Sequence, residues 1–180
     1  IPAGIVGVLA DDWLDAHLYN WQVVSAMLIV VGIVFLIVET IQKDMEPRVN
    51  SLEELTVKDA LLIGIFQLLA AVFPGTSRSG ATIIGGLVIG VSRTVAAKFT
   101  FILAIPVMAG ASLLKMVKYG FHFAGMEAAI LGAGMLTAFL VSLFVIRFMM
   151  NYIRKHDFKV FGWYRIVLGA LVILYFALLA

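Results

Sequence analysis

One short stretch of the sequence, residues 74–80 with the sequence PGTSRSG, combines residue types that could bind a phosphate. Arg78 is the only charged residue between Asp59 and Arg93, and the residues around it are mostly apolar. A charged side chain at bilayer depth costs roughly 2.5–3.5 kcal/mol on insertion scales. An arginine in such surroundings therefore needs an anionic partner, and the neighbouring hydroxyls can donate to the same anion.

The same stretch predicts a break between two helices. Pro74 removes a backbone N–H donor and Gly75 favours a turn, so the preceding helix should end there. A new helix is predicted to begin near Ser79, and both Thr76 and Ser77 are suitable N-caps for it. The free N–H groups and positive dipole end of that helix suit a phosphate. The sequence therefore predicts a phosphate-binding loop inside a membrane protein.

Composition sets the class of protein. Of the 180 residues, 63% are hydrophobic and 13% are charged, and the mean hydropathy is +1.08. A soluble domain could not bury that much apolar surface. The net charge of +2 is too small and too scattered to indicate nucleic-acid binding, and the absence of cysteine excludes thiol chemistry in this chain. We therefore predict an all-α polytopic membrane protein.

Four stretches are long and apolar enough to cross about 30 Å of hydrocarbon. They are residues 22–41, 94–117, 126–150 and 161–179. Residues 1–9 are apolar but too short to cross, and we interpret them as the tail of a truncated helix. Residues 43–59 are predicted to form a polar cytoplasmic loop, in which Ser51 and Glu54 make a capping box that opens a short surface helix. Glu39, near the end of the first span, is interpreted as an interfacial carboxylate.

Residues 60–90 are predicted to form a re-entrant hairpin. Residues 60–73 and 80–90 would give helices of roughly 21 and 16 Å, each too short to cross. The alternative is one kinked crossing, and the positive-inside rule distinguishes the two. A hairpin divides ten basic residues eight to two, whereas a crossing divides them five to five. The eight are Lys43, Arg48, Lys58, Arg93, Lys98, Arg154, Lys155 and Lys159, and the two are Lys115 and Lys118. This favours a hairpin that opens to the cytoplasm and a periplasmic C-terminus.

Hydrolysis of a phosphate ester or anhydride needs charge neutralisation, a nucleophile or oriented water, and a proton donor for the leaving group. Arg78 could clamp the phosphoryl oxygens. Ser77 and Ser79 offer hydroxyls, and Thr82 follows Ser79 by one helical turn on the same face. Capping a helix break is an equally open role for such hydroxyls. No base is evident, since residues 60–90 contain no carboxylate and the histidines fall in predicted loops. These histidines are His17, His122 and His156.

These motifs resemble a known family. The run PGTSRSGAT, with Gln67 seven residues before it, and the later stretches GVSRTVAAKFTFILAIPVMAGAS and GWYRIVLG resemble the undecaprenyl-diphosphate phosphatases, the bacitracin-resistance proteins of bacterial inner membranes. The resemblance covers most of the chain, and its Pro-Gly-x-Ser-Arg-Ser-x-x-Thr signature is specific. It implies hydrolysis of undecaprenyl diphosphate to undecaprenyl phosphate, which recycles a lipid carrier for cell-wall synthesis, in a fold of inverted repeats with re-entrant hairpins.

The resemblance also implies site residues and partners. The catalytic residues would be Ser77, Arg78 and Thr82. The substrate-binding residues would be Gln67, Gly75, Thr76, Ser79 and Gly80. It implies dependence on Mg²⁺ or Ca²⁺, with the acidic pair of an N-terminal half as the metal contact. We do not find that half here, so we predict no metal ligand in this chain and no activity of the chain alone. Membrane lipids are expected partners, and a homodimer is left open.

The sequence leaves open both an alternative function and the position of one arginine side chain. A non-enzymatic transporter or flippase-like protein could use Arg78 and the helix N-terminus to bind an anionic headgroup, because binding and hydrolysis share the same donors. Arg165, one turn inside the last span, could extend to the cytoplasmic interface or face the polar cavity of Arg78.

Overall fold

The computed structural model describes residues 13–14, 16–120 and 125–179. Regular structure in these residues is helical apart from one isolated bridge between Val49 and Val91. The predicted helix tail at residues 1–9 lies outside the described residues. The helices are α1 (Trp21–Ile41), α2 (Val57–Val72), α3 (Arg78–Val88), α4 (Arg93–Tyr119), α5 (Gly125–Ile153) and α6 (Lys159–Leu179), with a 3₁₀ turn at Gln42–Asp44. The prediction of an all-α fold is confirmed.

Four of the described helices are long and apolar enough to cross a membrane. They are α1 with its 3₁₀ turn, α4, α5 and α6, with mean hydropathies between 1.9 and 2.7. Their bounds differ from the predicted spans by at most three residues at either end. The prediction of a polytopic membrane protein is therefore confirmed.

The chain divides into two compact units. They are residues 1–100 with 157–180, and residues 101–156. In the first unit α1 packs along α6 because glycines let the two backbones approach. A Cβ atom on Gly162 would lie 2.9 Å from the carbonyl oxygen of Gly32, and one on Gly169 would lie 2.9 Å from that of Ser25. The second unit contains the C-terminal part of α4 and all of α5, both apolar.

Helices α2 and α3 form a hairpin. They pack closely where Gly85 faces Phe66, since a Cβ atom there would lie 2.7 Å from the ring. At the open end, the backbone N–H of Arg48 donates to the carbonyl of Gly90 at 2.8 Å, and its guanidinium donates to Asp59 at 2.5 Å. Asp59 lies in the first turn of α2 and Gly90 follows α3. The two ends of the segment therefore lie together, which is the arrangement of a hairpin.

The predicted capping box at Ser51 and Glu54 is wrong. Residues in this stretch form bends and a turn, and the Glu54 carboxylate accepts from the backbone N–H of Asn50 at 2.7 Å. The box is made by Thr56 and Asp59, where Thr56 Oγ1 accepts from Asp59 N at 3.2 Å and the Asp59 carboxylate accepts from Thr56 N at 3.1 Å. The capping box forms at Thr56 and Asp59 because this pair directly precedes the apolar residues of the helix. Helix α2 thus starts three residues earlier than predicted.

Candidate functional site

The turn between α2 and α3 has an unusual backbone, and we call residues 73–80 the tip loop. Gly75 has φ of +90° and Ser77 has φ of +63°, both in the region that favours glycine. A Cβ atom on Gly75 would lie 2.6 Å from the carbonyl oxygen of Val24, so the loop rests directly on α1. Such conformations cost about 1–3 kcal/mol each and persist where surrounding structure imposes them. The tip loop is therefore shaped by its neighbours.

The outer side of the tip loop presents three polar side chains at the start of α3. Ser77 is the N-cap, and its Oγ accepts from Gly80 N at 3.3 Å and lies 3.2 Å from Ser79 Oγ. Helix α3 begins at Arg78, one residue before the predicted start. Ser77, Arg78 and Ser79 are all exposed. The first N–H groups of a helix lack intrahelical partners, so this surface combines hydroxyls, a guanidinium and a positive dipole end. It suits an anion such as phosphate.

The inner side of the tip loop is buried. Thr76 is 2% exposed, and its Oγ1 makes no hydrogen bond within the described part of the chain. It therefore does not act as the N-cap. Arg165 of α6 is 9% exposed, and its Nη2 donates to the carbonyl oxygen of Gly75 at 2.5 Å. The side chain of Arg165 therefore does not extend to the membrane interface. It lies in the interior, against the loop that carries Arg78.

The hydroxyl of Thr82 belongs to the packed body of α3. Its Oγ1 lies 3.0 Å from the carbonyl oxygen of Arg78, 3.1 Å from that of Ser79 and 2.9 Å from Thr100 Oγ1. The residue is 2% exposed. Thr82 thus follows the tip loop by one turn, as predicted, with its hydroxyl bonded to an adjacent helix.

Two other predicted substrate-binding residues are also buried. Gln67 lies in α2, near the end that leads into the tip loop. Gly80 lies in the first turn of α3, where a Cβ atom would come 3.3 Å from the ring of Phe35. The structure therefore brings Ser77, Arg78 and Ser79 together on one exposed surface and places the remaining predicted site residues in turn backbone or interior packing.

Glu39 lies near the end of α1, where an interfacial carboxylate was predicted, and its carboxylate is enclosed by protein. It is 1% exposed and accepts two hydrogen bonds from Arg93 Nε, at 3.1 and 2.8 Å, and one from Arg93 Nη2 at 2.6 Å. The backbone N–H of Phe158 donates to the same carboxylate at 3.1 Å. The carboxylate thus joins α1, α4 and the start of α6. The sequence could have indicated this ion pair, because Glu39 and Arg93 each lie at the end of an apolar segment.

Comparison with known proteins identifies the family to which this loop belongs. A family model described as "Bacitracin resistance protein BacA" matches residues 1–171. The chain belongs to the BacA family. The resemblance read from the PGTSRSGAT motif is therefore confirmed.

Several BacA-type relatives are named undecaprenyl-diphosphatase. The chain is 60% identical over 177 residues to the one from Desulfitobacterium hafniense, covering 98% of this chain and 64% of the relative. It is 61% identical over 176 residues to undecaprenyl-diphosphatase 1 of Clostridium acetobutylicum, with the same coverage of each chain. It is 55% identical over 174 residues to the Enterococcus faecalis protein, covering 97% and 63%. The chain thus spans slightly less than two thirds of the length of these relatives.

The donors at the tip loop of this BacA chain suit phosphate better than a metal ion. Mg²⁺ and Ca²⁺ take carboxylate, carbonyl and water oxygens, whereas the exposed surface offers a guanidinium, two hydroxyls and backbone N–H groups. Within residues 13–14, 16–120 and 125–179, no group of three or more His, Cys, Asp or Glu side chains could hold a metal. The side chains of the described residues therefore do not fit the divalent ion that the resemblance implies.

Proposed function

We propose that this chain supplies the phosphate-binding loop of an undecaprenyl-diphosphate phosphatase of the bacterial plasma membrane. The observation that carries this proposal is the exposed set of Ser77, Arg78 and Ser79 at the N-terminus of α3, within a helical hairpin. The names of the relatives give the reaction and the lipid: removal of the terminal phosphate of undecaprenyl diphosphate.

Arg78 binds the phosphoryl oxygens as a planar two-pronged clamp and stabilises the charge that develops on them. Ser77 either attacks the terminal phosphorus, so that the bond to the bridging oxygen breaks, undecaprenyl phosphate leaves and water then releases phosphate from the serine, or it orients the water that attacks directly. Ser79 holds the Ser77 hydroxyl through the 3.2 Å contact between their Oγ atoms. Gly75, Thr76 and Gly80 shape the loop around the phosphate. Gln67 and Thr82 support it from the two helices and are assigned to the site through the family motif.

The general base of the proposed mechanism lies outside the described hairpin. Residues 57–90 contain no histidine and one carboxylate, that of Asp59. This carboxylate is bound to Arg48 at the end of the hairpin opposite the tip loop. Glu39 is held by Arg93 and by the N–H of Phe158, so it is committed to structure. We infer that the base and any Mg²⁺ or Ca²⁺ ligands come from another segment, and that the 180-residue chain alone releases no phosphate.

The test uses a joined protein, made by fusing this chain to the segment of the Desulfitobacterium hafniense relative that lies outside the matched region. Phosphate release from undecaprenyl diphosphate should appear with the joined protein and not with the chain alone. Arg78→Lys should lower kcat/KM by roughly 10²–10³-fold, the loss typical of a single electrostatic stabiliser, because an ammonium cannot make a two-pronged contact. Ser77→Ala should be comparably damaging, and Ser79→Ala should cost less.

Near-normal hydrolysis by Arg78→Lys would contradict the clamp. Release of phosphate by the chain alone would show that a base has been overlooked. A joined protein that retains the diphosphate lipid, loses this retention in Arg78→Lys and never releases phosphate would favour the non-enzymatic transporter instead, because that reading needs only binding.

We also propose that the open end of the hairpin faces the cytoplasm and that the C-terminus is periplasmic. The eight-to-two division of basic residues supports this orientation. Since the chain has no cysteine, single cysteines can be placed at Asn50, Ser92 and Ala180 and labelled with an impermeant reagent in intact cells. Only the cysteine at Ala180 should react, and labelling at Asn50 or Ser92 from outside would reverse the orientation.

A further inference from the structure

Two residues, one in α6 and one in the tip loop, each carry a buried polar atom without a hydrogen bond in the described structure. These atoms are Nε of Arg165 and Oγ1 of Thr76. Arg165 touches the carbonyl oxygen of Gly75, the residue next to Thr76, through its Nη2 at 2.5 Å. Buried polar groups are nearly always paired, so each unpaired one in a native structure calls for an explanation. This contact between α6 and the tip loop therefore needs an explanation other than stability.

We propose that Arg165 is a positioning residue that holds the tip loop in the shape in which Ser77, Arg78 and Ser79 face outward. The proposal rests on the function proposed above. The loop needs an external hold because both Gly75 and Ser77 have positive φ, which the loop does not prefer by itself.

The hold comes from two sides of the loop. The backbone of α1 supports Gly75 from one side, with the carbonyl oxygen of Val24 at the position a Cβ would approach. Arg165 donates a charge-assisted hydrogen bond to the Gly75 carbonyl from α6, and such bonds are stronger than neutral ones. Because α1 and α6 pack on each other, the two supports belong to one rigid pair of helices.

This role differs from direct binding of substrate. The unpaired Nε of Arg165 and Oγ1 of Thr76 have almost no accessible surface, so they do not line an open site. Arg165 also uses one N–H toward a neutral carbonyl, for which a point donor is sufficient. Lysine should therefore replace Arg165 in part, whereas it should not replace Arg78, whose task needs a planar fork.

The first arm of the test measures the shape of the loop without activity. A single cysteine is introduced as Thr76→Cys in the purified 180-residue chain, which has no other cysteine, and its labelling by a water-soluble maleimide in detergent is timed. Labelling should be slow with Arg165 present and roughly tenfold or more faster in Arg165→Met, because transient opening of the loop sets the rate. Arg165→Lys should stay slow. Ser79→Cys, at an exposed position, is the matched control and should react equally in all three backgrounds.

The second arm measures turnover in the joined protein. Arg165→Met should lower kcat by roughly tenfold or more with little change in KM, because the lipid still binds while the phosphoryl group is misaligned. Arg165→Lys should recover most of kcat. The Tm of Arg165→Met should not fall, since an apolar side chain can replace an incompletely paired buried charge without loss of stability.

The two arms separate the two proposals. If the unaltered joined protein releases no phosphate, the proposed function fails while the labelling arm still decides the role of Arg165. If Thr76→Cys labels equally slowly in Arg165→Met, the positioning role is overturned whatever the activity. A large rise in KM without rescue by lysine would also overturn it, because that pattern indicates direct contact with substrate.

Discussion

The two ends of the α2–α3 hairpin differ in how completely their polar groups are paired. We call the open end the hairpin base, comprising Arg48, Thr56, Asp59, Arg93 and Glu39. There Arg48 binds Asp59, Arg93 binds Glu39 through three hydrogen bonds, and a capping box closes the start of α2. The tip loop instead carries two positive-φ residues, an exposed polar surface and a buried unpaired hydroxyl.

On the function proposed above, this difference separates stability from function within one hairpin. Pairing at the hairpin base fixes where the two helices start and end, so the base acts as a rigid support. The exposed side chains of Ser77, Arg78 and Ser79 at the tip loop are the groups that the proposed function assigns to phosphate binding. Substitutions at the base should therefore change folding first, and substitutions at the tip should change turnover first.

The largest expected effect is at the hairpin base. Glu39→Ala leaves the Arg93 guanidinium and the Phe158 N–H without their buried partner, and removing one member of a buried ion pair costs about 3–5 kcal/mol. Thermal unfolding in detergent, followed by tryptophan fluorescence, should show a large fall in Tm. Ser79→Ala, at an exposed position of the tip loop, should change stability by about 0.5 kcal/mol or less. A fall in Tm of similar size in both variants would remove the contrast between the two ends.

The next effect is at the tip loop. Gly75→Ala places a Cβ where the Val24 carbonyl oxygen would be 2.6 Å away and requires alanine at φ of +90°. We expect a cost of about 1–3 kcal/mol together with loss of phosphate release in the joined protein. The matched control is Gly64→Ala in α2, where nothing lies within 4 Å of the new Cβ. Alanine favours a helix over glycine, so this control should be neutral or slightly stabilising. Equal behaviour of the two variants would show that the loop can change shape without penalty.

A smaller effect at the hairpin base depends on pH. The hydrogen bond from Arg48 holds the pKa of the Asp59 carboxyl below its ordinary value of 3.8. A lowered folded-state pKa contributes stability that is present above the unfolded value and is lost as the pH falls through the folded value. Tm should therefore fall in acid, and Asp59→Asn should reduce this dependence because it cannot titrate. Glu46→Gln, at an exposed position, is the control, and an unchanged acid profile in Asp59→Asn would contradict the role of this pair.

The sequence predicted those features that depend on local pattern. Apolar length gave four spans within three residues of their bounds, and Pro74 with Gly75 gave the helix break. The contacts of Glu39 with Arg93 and of Arg165 with Gly75 were not predicted. The residues of the first contact are 54 positions apart in the sequence, and those of the second are 90 positions apart. A local sequence pattern does not indicate which distant residues will be in contact.

The capping box illustrates the same limit at short range. Two similar patterns, at Ser51 and at Thr56, compete to start one helix. The choice depends on which of them adjoins the helix that packs against α3, and that is a property of the fold.

The smallest expected effect decides to which end Thr82 belongs. The family motif implies a catalytic role for its hydroxyl, while the structure bonds it to Thr100 Oγ1 and to the first carbonyls of α3. Thr100→Val removes one partner and leaves the carbonyls, so stability should fall by about 0.5–1.5 kcal/mol, the usual worth of one hydrogen bond. If the pair is structural, kcat of the joined protein should change by about threefold or less, because a loss of folding stability does not by itself raise the activation barrier of the reaction. A tenfold loss of kcat at unchanged Tm would instead mean that Thr100 aims the Thr82 hydroxyl at the phosphate, and Thr82 would then belong with the tip loop.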